Sequence, residues 1–217
     1  MYELAIILIF GVLAYRNAEV HEDEFANMSR KMGERLGKLW DIAHQGMREN
    51  RFLRAEKALL TILKIDEKNA AAYNRLGILY AKQKEYCDAI DCFEIASSIE
   101  ASASSLHNLG LIYYETENYE KAAIAFEQAL KLEDNLATRH VAYAKVQEKL
   151  NNEKLMFQSL EKAAKIEPNK ETYSLLFKAY ESHGRIQEAK KISKKILKLK
   201  TPQGKPKRIF RPKRVVI

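Results

Sequence analysis

The sequence predicts an all-α fold, a right-handed helix–turn–helix solenoid of about five stacked units. Three observations carry this prediction. Residues 73–96 read YNRLGILYAKQKEYCDAIDCFEIA and residues 106–129 read LHNLGLIYYETENYEKAAIAFEQA. Leu76, Gly77, Tyr80, Tyr86, Ala89, Phe93 and Ala96 thus return 33 residues later as Leu109, Gly110, Tyr113, Tyr119, Ala122, Phe126 and Ala129. A fixed period of this length marks an array of repeats. Within each copy the apolar residues also keep helical spacing, with Ala89, Phe93 and Ala96 at i, i+4 and i+7. Finally, helix breakers are scarce: the 217 residues include 8 Gly and 4 Pro, and three of those prolines lie beyond residue 200.

Each copy reads as two helices with a turn near Lys84-Glu85 or Glu117-Asn118. A small residue such as Gly77 or Ala89 lets the two backbones approach, and a ring such as Tyr80 or Phe93 fills the space that remains. One such hairpin cannot bury its own apolar face, so the units must stack. The period extends in both directions. Phe52, Ala55, Leu59 and Ile62 precede Tyr86, Ala89, Phe93 and Ala96 by 34 residues. Leu160, Ala163 and Pro168 follow Phe126, Ala129 and Asp134 by 34, and Ala189, Ser193 and Ile196 continue the series. The units therefore span about 36–69, 70–102, 103–136, 137–169 and 170–203. The outer ones depart from the pattern, with Ala43 at the glycine site and Gly46 at the tyrosine site of the first. The fourth has Ala144, Gln147 and Met156 at pattern positions, and the fifth has Phe177 at the glycine site and Ser193 at the ring site. Looser packing is expected there, because terminal repeats are atypical. The last helix keeps Ala189, Ile192, Ile196 and Leu199 on one stripe with its lysines outward, which suits a solvated cap.

These residues resemble the tetratricopeptide repeat, a family of 34-residue helix–turn–helix units whose pattern includes Leu-Gly, Tyr, Ala, a ring and Ala. The resemblance is densest over 70–135 and extends over most of the chain. It implies a groove lined by the first helices of successive units that holds a peptide or partner helix. By register, the groove positions are Trp40, His44, Asn74, Arg75, Ile78, Lys82, His107, Asn108, Leu111, Tyr114 and Glu115, with Lys145 and Lys178 continuing the row. Amides such as Asn74 and Asn108 carry both donor and acceptor, which suits an extended peptide backbone. Chaperone-binding members of the family grip a C-terminal carboxylate with Lys, Asn and Arg. Here the matching positions hold Trp40, His44, Arg75, Thr138 and Ala142, and one unit later Asn74 and Ile78, so the resemblance does not extend to that clamp.

Enzymatic signatures are missing from the sequence. It has no glycine-rich phosphate loop, no HExxH and no CxxC. Histidines 21, 44, 107, 140 and 183 include no pair four apart, so no metal site and no cofactor are expected. The HEDE run at 21–24 reads as a solvated acidic segment. Cys87 and Cys92, five apart on a helix, point to different faces and are not expected to bridge.

The two ends differ from the repeats. Leu4–Tyr15 is uncharged, and it predicts a hydrophobic N-terminal anchor over 1–18 followed by a polar connector over 19–35. Twelve residues give about 18 Å of helix against a hydrocarbon core of about 30 Å; counting 1–18, with Arg16 snorkelling, gives about 27 Å. An extra helix buried on the repeats is the other reading of this run. Arg16, Arg30, Lys31, Arg35 and Lys38 follow it, which by the positive-inside rule places the repeats in the cytoplasm. An N-terminal anchor before cytoplasmic repeats is similar in layout to the bacterial lipopolysaccharide-assembly regulator. The CxxC metal domain of that family has no counterpart here.

The formal net charge of +8 conceals a strong asymmetry. Twelve basic residues and no acid lie between Lys190 and Ile217, leaving 25 of the 37 basic residues against all 29 acidic ones elsewhere. The tail at 204–217, with Lys205, Lys207, Arg208, Phe210, Arg211, Lys213 and Arg214, is expected to be extended and to meet a polyanion, either anionic lipid or RNA. The functional expectation is a protein-interaction adaptor held on the cytoplasmic face of a membrane. The alternative is a nucleic-acid- or ribosome-associated adaptor acting through the tail.

The tail separates these readings. A chain ending before Thr201 should keep its fold and lose binding to anionic vesicles in a flotation assay, while Phe210→Ala should change RNA affinity little. Base stacking on an aromatic ring is worth about 1–3 kcal/mol. A tenfold loss of RNA affinity on Phe210→Ala, with vesicle binding intact, would therefore overturn the lipid reading of the tail.

Overall fold

The computed structural model describes residues 27–200; the expected anchor at 1–18 and the basic tail residues from Lys205 to Arg214 lie outside these described residues. Ten helices occupy them: α1 (27–48), α2 (Phe52–Ile65), α3 (Ala70–Gln83), α4 (Tyr86–Ile99), α5 (Ala103–Glu115), α6 (Tyr119–Leu132), α7 (Ala137–Lys149), α8 (Glu153–Ile166), α9 (Lys170–Ser182) and α10 (Ile186–Lys200). They pair as five helix–turn–helix hairpins, α1/α2 to α9/α10, matching the expected all-α architecture. The first half of α1 occupies residues expected to belong to the connector. The chain divides after Ala101 into two compact units, the first ending with α4 and the second beginning at Ser102.

All five hairpins turn in the same way. One of the two residues after the first helix sits in the left-handed region: Asn50 (φ 56°), Lys84 (φ 65°), Glu117 (φ 60°), Asn151 (φ 55°) and Gly184 (φ 68°). The next residue then donates its N–H to the carbonyl five positions back: Arg51 to Gly46, Glu85 to Tyr80, Asn118 to Tyr113, Asn152 to Gln147 and Arg185 to Tyr180, at 2.8–2.9 Å. This is the Schellman closure, which satisfies a helix-end carbonyl. Asparagine and serine start many of the following helices. Asn69, Asn118, Asn152 and Asn169 accept a hydrogen bond from the backbone N–H three residues on, and Ser102 forms a reciprocal capping box with Ser105.

The repeat residues do what their sizes suggest. A Cβ added at Gly77 would come within 2.7 Å of the Phe93 ring, and one at Gly110 within 2.9 Å of the Phe126 ring. Both rings are fully buried. The first unit has its core around Ala43, Ala55, Leu59, Ile62, Leu76, Leu79 and Cys92. In its first hairpin the close approach moves to the turn, where a Cβ on Gly46 would meet Ala55 at 3.0 Å. The looser packing expected there is replaced by a different contact, and Ala43, Ala55, Leu59 and Ile62 are all fully buried. In the second unit, the end of the core is formed by Ala144, Met156, Phe157, Leu160, Leu176, Tyr180, Ala189 and Ile192. Phe157 stacks on Tyr180 with ring centroids 5.0 Å apart. Of the stripe expected on the last helix, Ala189 and Ile192 are buried and Leu199 is exposed, because it extends past the core.

Polar ties also join neighbouring hairpins within a unit. The Tyr80 hydroxyl on α3 donates to Glu56 of α2 (2.8 Å), and the Tyr180 hydroxyl on α9 donates to Glu161 of α8 (2.5 Å). Burial and the adjacent carboxylate push both phenols well above their ordinary range, so they remain donors.

Two glycine substitutions test the packing. Gly77→Ala should destabilise by about 1–3 kcal/mol, because its methyl must displace the Phe93 ring in a filled core. Gly33→Ala sits mid-helix with nothing within 4 Å and should stabilise by about 0.5–1 kcal/mol. Thermal denaturation of the two variants should move Tm in opposite directions; movement in the same direction would contradict the packing.

Candidate functional site

The residues that the sequence assigned to one groove fall in two separate units, six on α1 and α3 and five on α5. In the first unit, Trp40 and His44 stack along α1 with ring centroids 5.6 Å apart. Trp40 and Ile78 lie half-buried on the edge of the core, while His44, Arg75 and Lys82 are exposed. Asn74 is half-buried and engaged with the protein around it, and Asn108 in the second unit is in the same state. Part of each amide's bonding capacity is therefore already used by the fold.

On α5, Leu111 is 40% exposed and Glu115 is exposed. Tyr114 meets Tyr119 of α6 edge to face at 5.6 Å, so its ring is held at the turn of its own hairpin. His107 is not an open wall residue either. Its imidazole packs on Phe126 at 5.3 Å, and its Nδ1 is buried with no hydrogen-bond partner. Burial, reinforced by the Arg139 guanidinium, lowers its pKa below the usual histidine value. Arg139 is itself buried and reaches the loop before α7, donating to the Glu133 carboxylate (2.7 Å) and to the Glu133 carbonyl (3.2 Å). His140 beside it bonds the Asp134 carbonyl through Nε2 at 2.9 Å, and burial lowers its pKa as well. Asp134 pairs with Lys162.

The lysines that continue the row do flank a cavity. Lys145 and Glu148 on α7 and Lys178 on α9, all exposed, rim a pocket of about 240 Å³ between those helices. Its apolar lining includes Val141, Leu175, Met156 and Leu160. Register alone missed Val141 and Leu175. A helix wheel could have found them, since Val141 and Lys145, like Leu175 and Ala179, are four apart on one face. The arrangement can hold an apolar side chain with an anionic group close by.

Among the described residues, no cluster of His, Cys, Asp and Glu could hold a metal ion. Cys87 is exposed, Cys92 is buried, and both are free. Burial, with Asp88 and Asp91 nearby, pushes the Cys92 thiol up to about 11, so it is a packed, protonated side chain. No helix among the described residues is long and apolar enough to cross a membrane.

Repeated hairpins with one shared turn, a glycine-on-ring contact and pockets between first helices define a helical-repeat protein. Residues 68–135 match the tetratricopeptide repeat family, and the hairpins on either side continue the same helix–turn–helix pattern. Solved structures agree. The crystal structure of MamA protein is 25% identical, with 76% of this chain and 92% of that chain covered at a TM-score of 0.68. MamA 41-end from Desulfovibrio magneticus RS-1 shares the fold at 13% identity, covering 76% and 94% of the two chains at a TM-score of 0.68. YrrB, described as a TPR protein with an unusual peptide-binding site, shares it at 17% identity, covering 74% and 84% at a TM-score of 0.62. No curated protein matches the sequence.

The buried histidines give the fold a pH dependence. Neutral imidazole is favoured in the folded state for both His107 and His140, so the unfolded chain binds their protons more readily. Their contribution is complete above the ordinary histidine pKa of about 6.5 and is lost as pH falls below it. Tm should therefore drop between pH 7.5 and pH 5, and His107→Leu should flatten part of that slope. An unchanged slope in the variant would mean that the His107 ring titrates as if in water.

Proposed function

We propose that this protein is a non-enzymatic interaction scaffold that holds peptide segments of other proteins on the first helices of its hairpins. The observation that carries this reading is the pocket between α7 and α9, an apolar floor rimmed by Lys145 and Lys178, whose two cations outnumber the one carboxylate, Glu148, beside them. It suits an apolar side chain followed by a carboxylate, either an acidic residue or a chain end. On α1, α3 and α5, the exposed or half-buried His44, Arg75, Lys82, Leu111 and Glu115 extend the surface open to a partner. The peptide-binding site named for YrrB supports a peptide ligand for this fold, as does the structure of Naa15/Naa10 bound to HypK-THB, which is 23% identical and covered over 26% of its length at a TM-score of 0.61. The uncharged run Leu4–Tyr15, with basic residues after it, supports a tether to the cytoplasmic face of a membrane.

Binding to an array of peptides pairing Leu, Ile or Phe with a nearby carboxylate, measured by fluorescence anisotropy, tests the pocket. Lys145→Glu with Lys178→Glu should weaken the best peptide at least tenfold and leave Tm within about 1–2 °C, since surface changes usually cost under 0.5 kcal/mol. Equal affinity in the double variant would remove the pocket from the binding site. Independently, the full chain should stay with membranes through alkaline carbonate, and a chain starting at Ser29 should not. Release of the full chain by carbonate would exclude an inserted tether.

A further inference from the structure

The first hairpin carries an apolar groove of about 860 Å³ whose walls are Leu39 and Ile42 of α1 and Phe52, Leu53 and Ala58 of α2. Leu53 is 65% exposed in it. The repeat spacing explains why the groove exists. Leu39 corresponds to His140 and Tyr173, positions where a first helix meets the hairpin before it. His140 bonds the loop that precedes α7, and Tyr173 shares a surface with Glu161 and Ala164 of α8. At Leu39 no described residue fills that place, so the groove has the form of a seat for whatever precedes α1.

What precedes α1 in this chain is itself apolar. Leu4–Tyr15 contains no charged residue and would form about 18 Å of helix, a length comparable with the 21 Å or so of α2. The eleven residues 16–26 can extend over about 36 Å, whereas Leu39 lies only about 18 Å along α1 from residue 27. The connector is therefore long enough to bring the run back to the groove. Charge agrees with this path. Glu19, Glu22, Asp23 and Glu24 lie in the connector, and Arg51, Arg54 and Lys57 rim the groove. Arg51 already pairs with Glu49 at 3.2 Å, and Arg54 and Lys57 are exposed.

We propose that residues 4–15 of the same chain dock in the α1–α2 groove when no bilayer is present, with the acidic run 19–24 passing over Arg51, Arg54 and Lys57. The segment then has two resting places, the groove in water and the membrane when lipid is available. Moving between them exposes the groove as the segment leaves it.

The test places the photo-crosslinking residue p-benzoylphenylalanine at position 53 of the full chain, in lipid-free buffer at low micromolar concentration, and maps the products by mass spectrometry. Leu53 is exposed, so the change spares the fold, and circular dichroism checks that. The expected product is a crosslink within one chain between position 53 and residues 4–15, with none from the same probe at Ile124, an exposed residue on α6. Leu39→Glu should reduce the yield at least fivefold, and so should added vesicles containing phosphatidylglycerol. A crosslink that forms only between two chains, or none to residues 4–15, would overturn the proposal, as would a yield unchanged by Leu39→Glu. The outcome is separable from the tether: a chain released by carbonate yet crosslinked within itself keeps the docking and loses the membrane anchor.

Discussion

The central hairpins, α3/α4 and α5/α6, each depend on one contact between a glycine of the first helix and a ring sixteen positions later on the second. Gly77 meets Phe93 and Gly110 meets Phe126, so closely that a single methyl would overlap the ring. The same spacing pairs Ala43 with Leu59, Ala144 with Leu160 and Phe177 with Ser193. Four pairs put the small residue first and the large one second, and the last pair reverses them. The reversal keeps the combined volume roughly constant, which is the kind of exchange a packed core tolerates best. Ala43 with Leu59 and Ala144 with Leu160 each lie in one buried core, whereas Phe177 and Ser193, both half-buried, line a cavity of about 410 Å³ between α9 and α10.

That contact can recur only if the turn between the helices always has the same phase. One extra residue would rotate the second helix by about 100° and carry the large side chain away from its partner. The shared left-handed residue and the bond back across five positions hold the phase in every hairpin. Among the five, Gly184 adopts this backbone freely and Asn50 and Asn151 tolerate it. Lys84 and Glu117 adopt it at a cost of about 1–2 kcal/mol each. The helix packing on either side must overcome that cost, which fits the full burial of Phe93 and Phe126 beside those two turns.

This division explains what could be read in advance. The hairpins, their turns at Lys84 and Glu117 and the glycine-on-ring contacts follow from local periodicity and residue size, which the sequence states directly. The candidate site was legible only in part. Register puts Lys145 and Lys178 on equivalent faces, because a position on one face of a helix repeats with the unit, and both line the same pocket. It misjudges His107 and Tyr114, because register says which way a side chain leaves its helix and not what meets it there. His107 meets Phe126, and Tyr114 meets Tyr119, through rings contributed by the second helix. The groove at Leu39 was hidden for the opposite reason. Leu39 and Leu53 are apolar as core residues are, and only the missing neighbour shows that they are open.

What remains for a ligand is therefore what packing between hairpins has not taken. In the second unit the inner ends of α7 and α9 are committed to the loops that precede them, through Arg139 and His140 on the Glu133 and Asp134 carbonyls and Thr172 on the Glu167 carbonyl (2.5 Å). These bonds satisfy backbone acceptors that a repeat junction would otherwise bury unpaired. They also fix both helices at their N-terminal ends. The opposite turns of α7 and α9 carry no such duty, and there Lys145 and Lys178 stand clear of the protein around Val141 and Leu175. A side chain that closes a junction cannot also be given to a partner, and in α7 and α9 the residues from Val141 and from Leu175 onward are the ones that line the open pocket.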